Sequence, residues 1–465
     1  METLGVAEVA KYVGGKVYGD PTVTVGGLQI DSRKLVKGDL FIALKGEKTD
    51  GHRYVLAALA TAQAALVETG WAENNRQAVP VGRALIAVAD PLAGLQRLAA
   101  AYRGRFDLTV VGVTGSTGKT TTKDMIAAVL GERMPVHKTQ ANFNNELGLP
   151  LTLLGLNVSH QAAVVEMGMR GRGEIQFLCS LANPTIGVIT NIGTTHLELL
   201  GSQENIASAK GELLQALPED GTAILNSGDP WCRKLGQKLT CKVLYYGIDD
   251  PEADVTASGI EAWGELGTRF LVRFQGRQIP VSLALPGRHN VTNALAAIAV
   301  GLACGLDLAA CARGLEKLQM TAMRLQLLQG PRQTRIINDA YNANPASTRA
   351  GLSVLAERAG NAPKVAVLGS MFELGQAEVE EHQKVGEYAA NLGDLAYLVT
   401  VGDLGRQIAG GAAGAGMDPG RIASFATTDE AIVFLTDHLP LGAWVLVKGS
   451  RGMKMEQIVE ALLKF

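Results

Sequence analysis

Short β-branched apolar runs alternate with longer stretches of mixed, helix-like spacing over most of this chain. The runs at 108–114 (LTVVGVT), 162–166 (AAVVE), 185–190 (TIGVIT) and 222–226 (TAILN) are nearly continuous in apolar residues, so they read as strands covered on both faces. Helical stretches lie between them. The alternation predicts a doubly wound, mostly parallel α/β sheet with ligands outside the carboxyl ends of its strands. A second α/β set starts at 335–339 and continues through 365–369, 396–402 and 444–448. The amino-terminal region mixes short strand-like runs such as 39–43 with an alanine-rich stretch, 54–65, that reads as helix. The glycine-rich segment 410–420 lacks the G-x-G-x-x-G spacing and no strand leads into it, so it reads as a loop.

Polar breaks divide these sets. AAAYRGRFD at 99–107 precedes the first central strand, and 319–323 precedes the last set. The expected division is a smaller amino-terminal α/β domain (1–105), a central P-loop domain (106–318) and a carboxyl-terminal Rossmann-like α/β domain (319–465). A length of 465 residues suits three such units at about 150 residues each.

Composition narrows the class. An apolar share of 47% with 19% charged residues describes a globular chain, and a net charge of -2 gives no reason to expect nucleic acid or an anionic membrane as partner. The uncharged stretch 290–306 falls short of the roughly 20 residues of a membrane span and reads as a buried helix. Glu2 and Glu8 stand where a secretory signal would carry basic and then apolar residues. Five cysteines without a C-x-x-C point to reduced thiols, hence to the cytoplasm, and away from a zinc site.

The chemistry concentrates where the strand 108–114 breaks into Gly115, Ser116, Thr117, Gly118, Lys119 and Thr120, with Thr121 entering a helical stretch that runs to 133. Glycines let the backbone approach an anion, the first N–H groups of the helix face it, Lys119 adds charge, and the Thr120 hydroxyl can ligate magnesium. The general pattern G-x-x-x-x-G-K-[ST] would place a glycine where this chain has Val113. Other polar positions carry two readings each. Glu166, ending a strand, is a magnesium ligand or a surface carboxylate. His196, ending NIGTTH, is a ligand or a structural hydrogen-bonding group. Lys210, in the helical ASAKGELL, reads from its segment alone as solvated. Asn142, Asn144 and Asn145 either donate to substrate or shape a turn. Asn290 follows His289 at the start of the long apolar helix. Arg324 and Asp339 suit phosphate and ribose hydroxyls, or an interdomain salt bridge. Lys448, Gly449, Ser450 and Arg451 form an anion site or a solvated basic turn.

Taken in order, TGSTGKT, NFNNELGLP, VVEMG, NIGTTH, AKGELL, HNVTNALAA and NDAYNANP resemble the Mur ligase superfamily of ATP-dependent peptidoglycan-precursor ligases. Its cradle is typically TG[ST]xGKT, so Val113 fits the family. The resemblance extends over nearly the whole chain. Segments 31–52, 339–352 and 367–382 are similar to those of members that join D-alanyl-D-alanine to UDP-N-acetylmuramoyl-tripeptide. The D-N-P-[RA] segment of members that add a diamino acid is not found. Folylpolyglutamate synthase shares fold and chemistry but is not expected to show DSR and DAYNANP.

The resemblance implies ATP and two Mg²⁺ ions, with small-molecule substrates only. Lys119 and the cradle from Gly115 to Thr121 would hold the β- and γ-phosphates. Thr120 and Glu166 would hold one magnesium and His196 a second, and Lys210 matches a lysine that family members convert to a carbamate. Asn290, Arg324 and Asp339 match nucleotide contacts, Asn144 and Asn145 substrate contacts. Ser32 and Arg33 match the UDP site, with Asp50 and His52 beside them. A monomer is expected, and no motif fixes the third peptide residue, diaminopimelate or lysine. Other Mur-type ligases and a P-loop NTPase switch are the competing classes. A GTP switch would carry [NT]-K-x-D, whereas K-x-D occurs only at Lys37 and Lys48, ahead of the cradle.

Overall fold

The apolar runs become strands of three α/β sheets in the structure, a computed structural model that describes residues 1–46, 49–195, 197–265 and 267–464. The central sheet has nine strands. Thr109–Thr114 lies between Ala162–Glu166 and Ile186–Ile189, all parallel, with Glu166 opposite Val113 and Ile189 opposite Thr114. This register brings Glu166 to the mouth of the cradle. Beyond Thr222–Asn226 and Lys242–Ile248, the sheet continues into Val255–Trp263, Gly267–Phe274 and Arg277–Leu283, the last two antiparallel to their neighbours. In Gly267–Phe274 the buried Phe270 and Val272 alternate with the exposed Arg269, Leu271 and Arg273. That period is expected of a sheet open to water on one face.

The apolar stretch near 290–306 forms the buried helix Arg288–Ala303, which packs with the cradle helix Lys119–Leu130 over the sheet. Lying between the sheet and the cradle helix explains why its residues from Ala294 onward are apolar all round, while Asn290 and Asn293 in its first turns line the cavity.

Five strands make the amino-terminal sheet: Lys16–Gly19, Ala84–Val88, Ala64–Glu68, Asp39–Ile42 and Gly27–Gln29, parallel except for the first. The alanine-rich 54–65 is therefore not one helix. A single turn, Val55–Ala58, is helical, and Ala64 and Ala65 are fully buried in a strand between two apolar neighbours. Tertiary burial here overrides alanine's helix preference. The following helix, Pro91–Arg103, crosses into the central unit. Buried Tyr102 donates to the Leu156 carbonyl (2.7 Å), and Arg103 Nε donates to the Ala182 carbonyl (2.9 Å). One apolar cluster accordingly runs from Leu4 through Leu98 to Leu213.

The carboxyl-terminal sheet runs Gln326–Gln329, Arg335–Asp339, Trp444–Lys448, Lys364–Gly369, Leu395–Val401, Ile422–Phe425, parallel after its first strand. Among the described residues, its two apolar clusters include none before Leu325. The glycine-rich 410–420 is only partly loop, because Gly405–Gly414 is a helix packed on Glu378–Asn391. A Cβ on Gly411 would lie 2.1 Å from the Gln383 carbonyl oxygen, and one on Gly386 would lie 1.9 Å from that of Ile408. These glycines permit a close crossing of two helices. Among the described residues no helix is long and apolar enough to cross a membrane.

Candidate active site

The cradle is shaped by two glycines in the left-handed half of backbone space. Gly115 has φ 149° and Gly118 φ 78°, and a Cβ at either would collide with Thr190 Oγ1 (1.9 Å) or Asn293 Oδ1 (2.6 Å). Val113, where the general motif has its first glycine, is a buried strand residue opposite Val188. Asn191 braces the loop. Its Oδ1 accepts from Thr117 N (3.1 Å), its carbonyl from Ser116 N (3.0 Å), and its Nδ2 donates to Thr117 Oγ1 (2.9 Å).

Behind the loop the helix starts with Lys119 and Thr120. Lys119 Nζ donates to the Gly115 carbonyl at 2.7 Å. Desolvation lowers its pKa, with Glu166 opposing and Arg324 adding to the effect. Thr120 Oγ1 donates to Glu166 Oε2 at 2.9 Å, and Asn144 Nδ2 donates to Glu166 Oε1, also at 2.9 Å. The Glu166 amide in turn donates to Thr139 Oγ1 (3.0 Å). Glu166 is buried, so the surface-carboxylate reading fails. A hydroxyl and a carboxylate at this spacing are hard oxygen donors suited to magnesium.

Lys210 departs most from its local sequence. On helix Gln203–Gln215 it is 2% exposed rather than solvated. Burial first, and then the positive charge of Lys119, holds its pKa well below the ordinary lysine value. His196 lies outside the described residues.

Across from the cradle stands the carboxyl-terminal unit, and the two enclose a cavity of about 1130 Å³. Arg324 reaches over it: NH2 donates to Thr120 Oγ1 (3.0 Å), the guanidinium lies 4.3 Å from the Tyr341 ring centre, and its buried Nε has no partner among the described residues. A buried donor without an acceptor is costly, and an anionic oxygen in the cavity would satisfy it. Asp339 also faces the cavity, but Lys448 Nζ donates to its Oδ2 (2.5 Å) and Leu325 N to its Oδ1 (3.2 Å). Lys448 is buried and further bonded to the Asn342 carbonyl (2.9 Å), so it is not part of a solvated basic turn. Arg451 pairs with Glu456 at 2.9 Å. Asn290 lines the cavity while its Nδ2 donates to the Pro286 carbonyl (2.8 Å). Asn145 lines it too, though its Oδ1 accepts from Gly148 N (2.9 Å), a turn-shaping role.

Ser32, Arg33, Asp50 and His52 do not line this cavity. They follow the adjacent parallel strands Gly27–Gln29 and Asp39–Ile42, at the carboxyl edge where open α/β sheets bind ligands. Asp31 accepts from Arg33 N (3.1 Å) and pairs with its guanidinium (2.9 Å), and this pairing holds the Asp31 carboxyl down at about 2. Buried His52 uses Nδ1 toward Asp50 Oδ1 (2.7 Å) and Nε2 to accept from Glu68 N (3.0 Å). Both ring nitrogens are thus engaged, and His52 fixes the loop from beneath.

Sequence reasoning passed over Asn191, Thr139 and Tyr341. Asn191 opens a motif in which only the histidine was singled out; the contacts of the other two depend on which strands become neighbours.

Three family descriptions match consecutive segments: Mur ligase family, catalytic domain, at 24–103; Mur ligase middle domain at 113–301; and Mur ligase, glutamate ligase domain, at 323–451. The UDP-N-acetylmuramoyl-tripeptide–D-alanyl-D-alanine ligase of Bacillus subtilis (strain 168) is 40% identical over 463 residues, covering 99% of this chain and 97% of the relative. Among solved structures, MurF from Acinetobacter baumannii superimposes with a TM-score of 0.88 at 32% identity, with 100% of both chains covered. The MurF ligase of Thermotoga maritima in complex with ADP gives 0.79 at 27% identity, covering 94% of this chain and 97% of that one.

Proposed function

This chain belongs to the Mur ligase family, and from that premise we propose that it joins D-alanyl-D-alanine to UDP-N-acetylmuramoyl-tripeptide, forming ADP and phosphate, in peptidoglycan precursor synthesis. The observation that carries this reading is the meeting of Lys119, Thr120, Glu166 and Arg324 at one cleft between two units. The full-length likeness to relatives of that name supports the choice of substrates. We divide the chain into a UDP-sugar-binding unit (1–105), an ATP-binding unit (106–318) and a ligase unit (319–465), acting in the cytoplasm as a monomer.

A carboxylate is a poor acylating agent. Its attack on the γ-phosphate of ATP gives an acyl phosphate, from which phosphate leaves when the dipeptide amine attacks the acyl carbon. Positioning and charge neutralisation carry most of such a reaction. Lys119 and the helix-start amides hold the β- and γ-phosphates, and the free Nε of Arg324 faces them from the opposite wall. Thr120 and Glu166 hold magnesium, which when bound neutralises phosphate charge. Lys210 in its neutral form adds to carbon dioxide with loss of one proton, turning a buried amine into a carbamate anion. With His196 it would hold a second magnesium, which when bound would supply further positive charge. Ser32 and Arg33 hold the UDP end.

The test is incubation with ATP, magnesium, UDP-muramoyl-tripeptides ending in diaminopimelate or lysine, and candidate amines, followed by product mass and phosphate release. The expected product is the tripeptide plus D-alanyl-D-alanine less one water, with little phosphate released unless both substrates are present. Rapid ATP turnover without them would favour an NTPase instead.

A further inference from the structure

The segment joining the central and carboxyl-terminal units is pinned to the cradle helix at a point the proposed chemistry does not use. Asp124, fully buried, accepts at Oδ2 from both Thr321 N (2.9 Å) and Thr321 Oγ1 (2.7 Å). Its Oδ1 accepts from Lys138 Nζ (2.7 Å) and lies 3.4 Å from Lys123 Nζ, itself buried and donating to the Thr139 carbonyl (2.8 Å). Burial alone would raise the Asp124 pKa, but these cations and the Thr321 hydroxyl bring it below its ordinary value. The carboxylate is therefore a fixed anionic anchor for the linker.

Asp124 lies one helical turn beyond Thr120, on the same face of the helix. Arg324 lies three residues beyond Thr321 and returns to Thr120 Oγ1. Helix and linker are thus tied at two points, Thr321 to Asp124 and Arg324 to Thr120. The backbone beside Arg324 does not relax into this shape unaided. Met323 has φ 61° and Leu325 φ 48°, left-handed conformations that non-glycine residues keep only when their surroundings enforce them. Leu325 N is held by Asp339 on the far side. Thr321 and Asp124 do not line the cavity, so any effect on bound nucleotide passes through another residue.

We propose that Thr321 and Asp124 are positioning residues that set the register of the linker and so aim Arg324 at the terminal phosphates of the nucleotide. This rests on assigning the cradle to ATP. Thr321→Val preserves shape and the amide bond while removing the hydroxyl donor, and keeps the carboxylate beside Lys123 and Lys138 that Asp124→Asn would neutralise.

The experiment is calorimetric titration of the full chain with magnesium and either β,γ-imido-ATP or ADP. Thr321→Val should weaken the imido-ATP complex about three- to tenfold, the range for one ordinary hydrogen bond lost at a residue that acts only through Arg324, with less than about a twofold change for ADP. Thr321→Ser should bind as the unaltered chain does. In an Arg324→Ala background, already weakened, Thr321→Val should add less than about twofold, because residues acting through one another are not additive. An undiminished loss in that background, an equal loss for ADP, or a serine variant as weak as valine would overturn the proposal. So would a lower melting temperature with unchanged affinity. Failure of the unaltered chain to bind either nucleotide would overturn the assignment of the cradle as well.

Discussion

Lys210 and Lys448 are buried almost equally, at 2% and 3% exposure, and burial lowers the pKa of both. Their electrostatic company is opposite. Lys448 holds Asp339 and the Asn342 carbonyl, and the carboxylate works against the desolvation. Among the described residues the charge that acts on Lys210 is that of Lys119, a second cation, so its ammonium form is disfavoured twice. Within one molecule, a paired buried lysine reads as architecture and one facing another cation reads as chemistry.

Substitution at Lys210 would strain this contrast most. Lys210→Ala should lower ligation by about a thousandfold or more, the several kcal/mol expected of lost metal support. Short carboxylic acids should restore part of it by supplying the anion. Measured by denaturant unfolding, the volume-matched Lys210→Met should stay within about 1.5 kcal/mol of the parent. Full activity in Lys210→Ala would remove the carbamate from the mechanism.

Lys448→Met should behave in the reverse way. Stranding Asp339 unpaired at the cavity wall should cost about 3–5 kcal/mol in the same unfolding measurement, and adding Asp339→Asn should recover a large part of it. A Lys448 variant as stable as the parent would erase the distinction between the two lysines.

The smallest effect is expected at the surface. Arg33 is 87% exposed on its side chain and paired with Asp31 two residues away. Arg33→Ala should weaken binding of the nucleotide sugar by about fivefold or less, as for an exposed charge pair, and leave ATP-analogue affinity intact. Equal losses for both ligands would place Arg33 in some other role.

Continuous apolar runs made the parallel strands legible, and motif order made Glu166 and the cradle legible. The ends of Ala162–Glu166, Thr222–Asn226, Arg335–Asp339 and Trp444–Lys448 match the apolar runs because burial on both faces keeps their middles apolar and leaves the polar residues to mark the ends. Ala64 and Ala65 were not legible, since alanine suits a crowded strand as well as a helix. Gly405–Gly414 was obscured by glycines whose reason is another helix far away in sequence. The burial of Lys210 has no local signal: ASAKGELL fixes the helix but not what covers it. Likewise Asn191, Thr139 and Asp124 act on residues 74, 27 and 197 positions away in sequence.

The apolar cluster shared between the amino-terminal and central units has a mechanical consequence. Interlocked side chains cannot slide without opening voids, so these two units transmit force as one body. Among the described residues no such cluster bridges to the third unit, whose contacts with the rest include the polar pairs Arg335–Glu265 and Arg170–Glu373. Polar contacts of that kind re-form with water at little cost. The three α/β units therefore fall into two mechanical bodies, joined through the linker around Thr321, with the cavity between them.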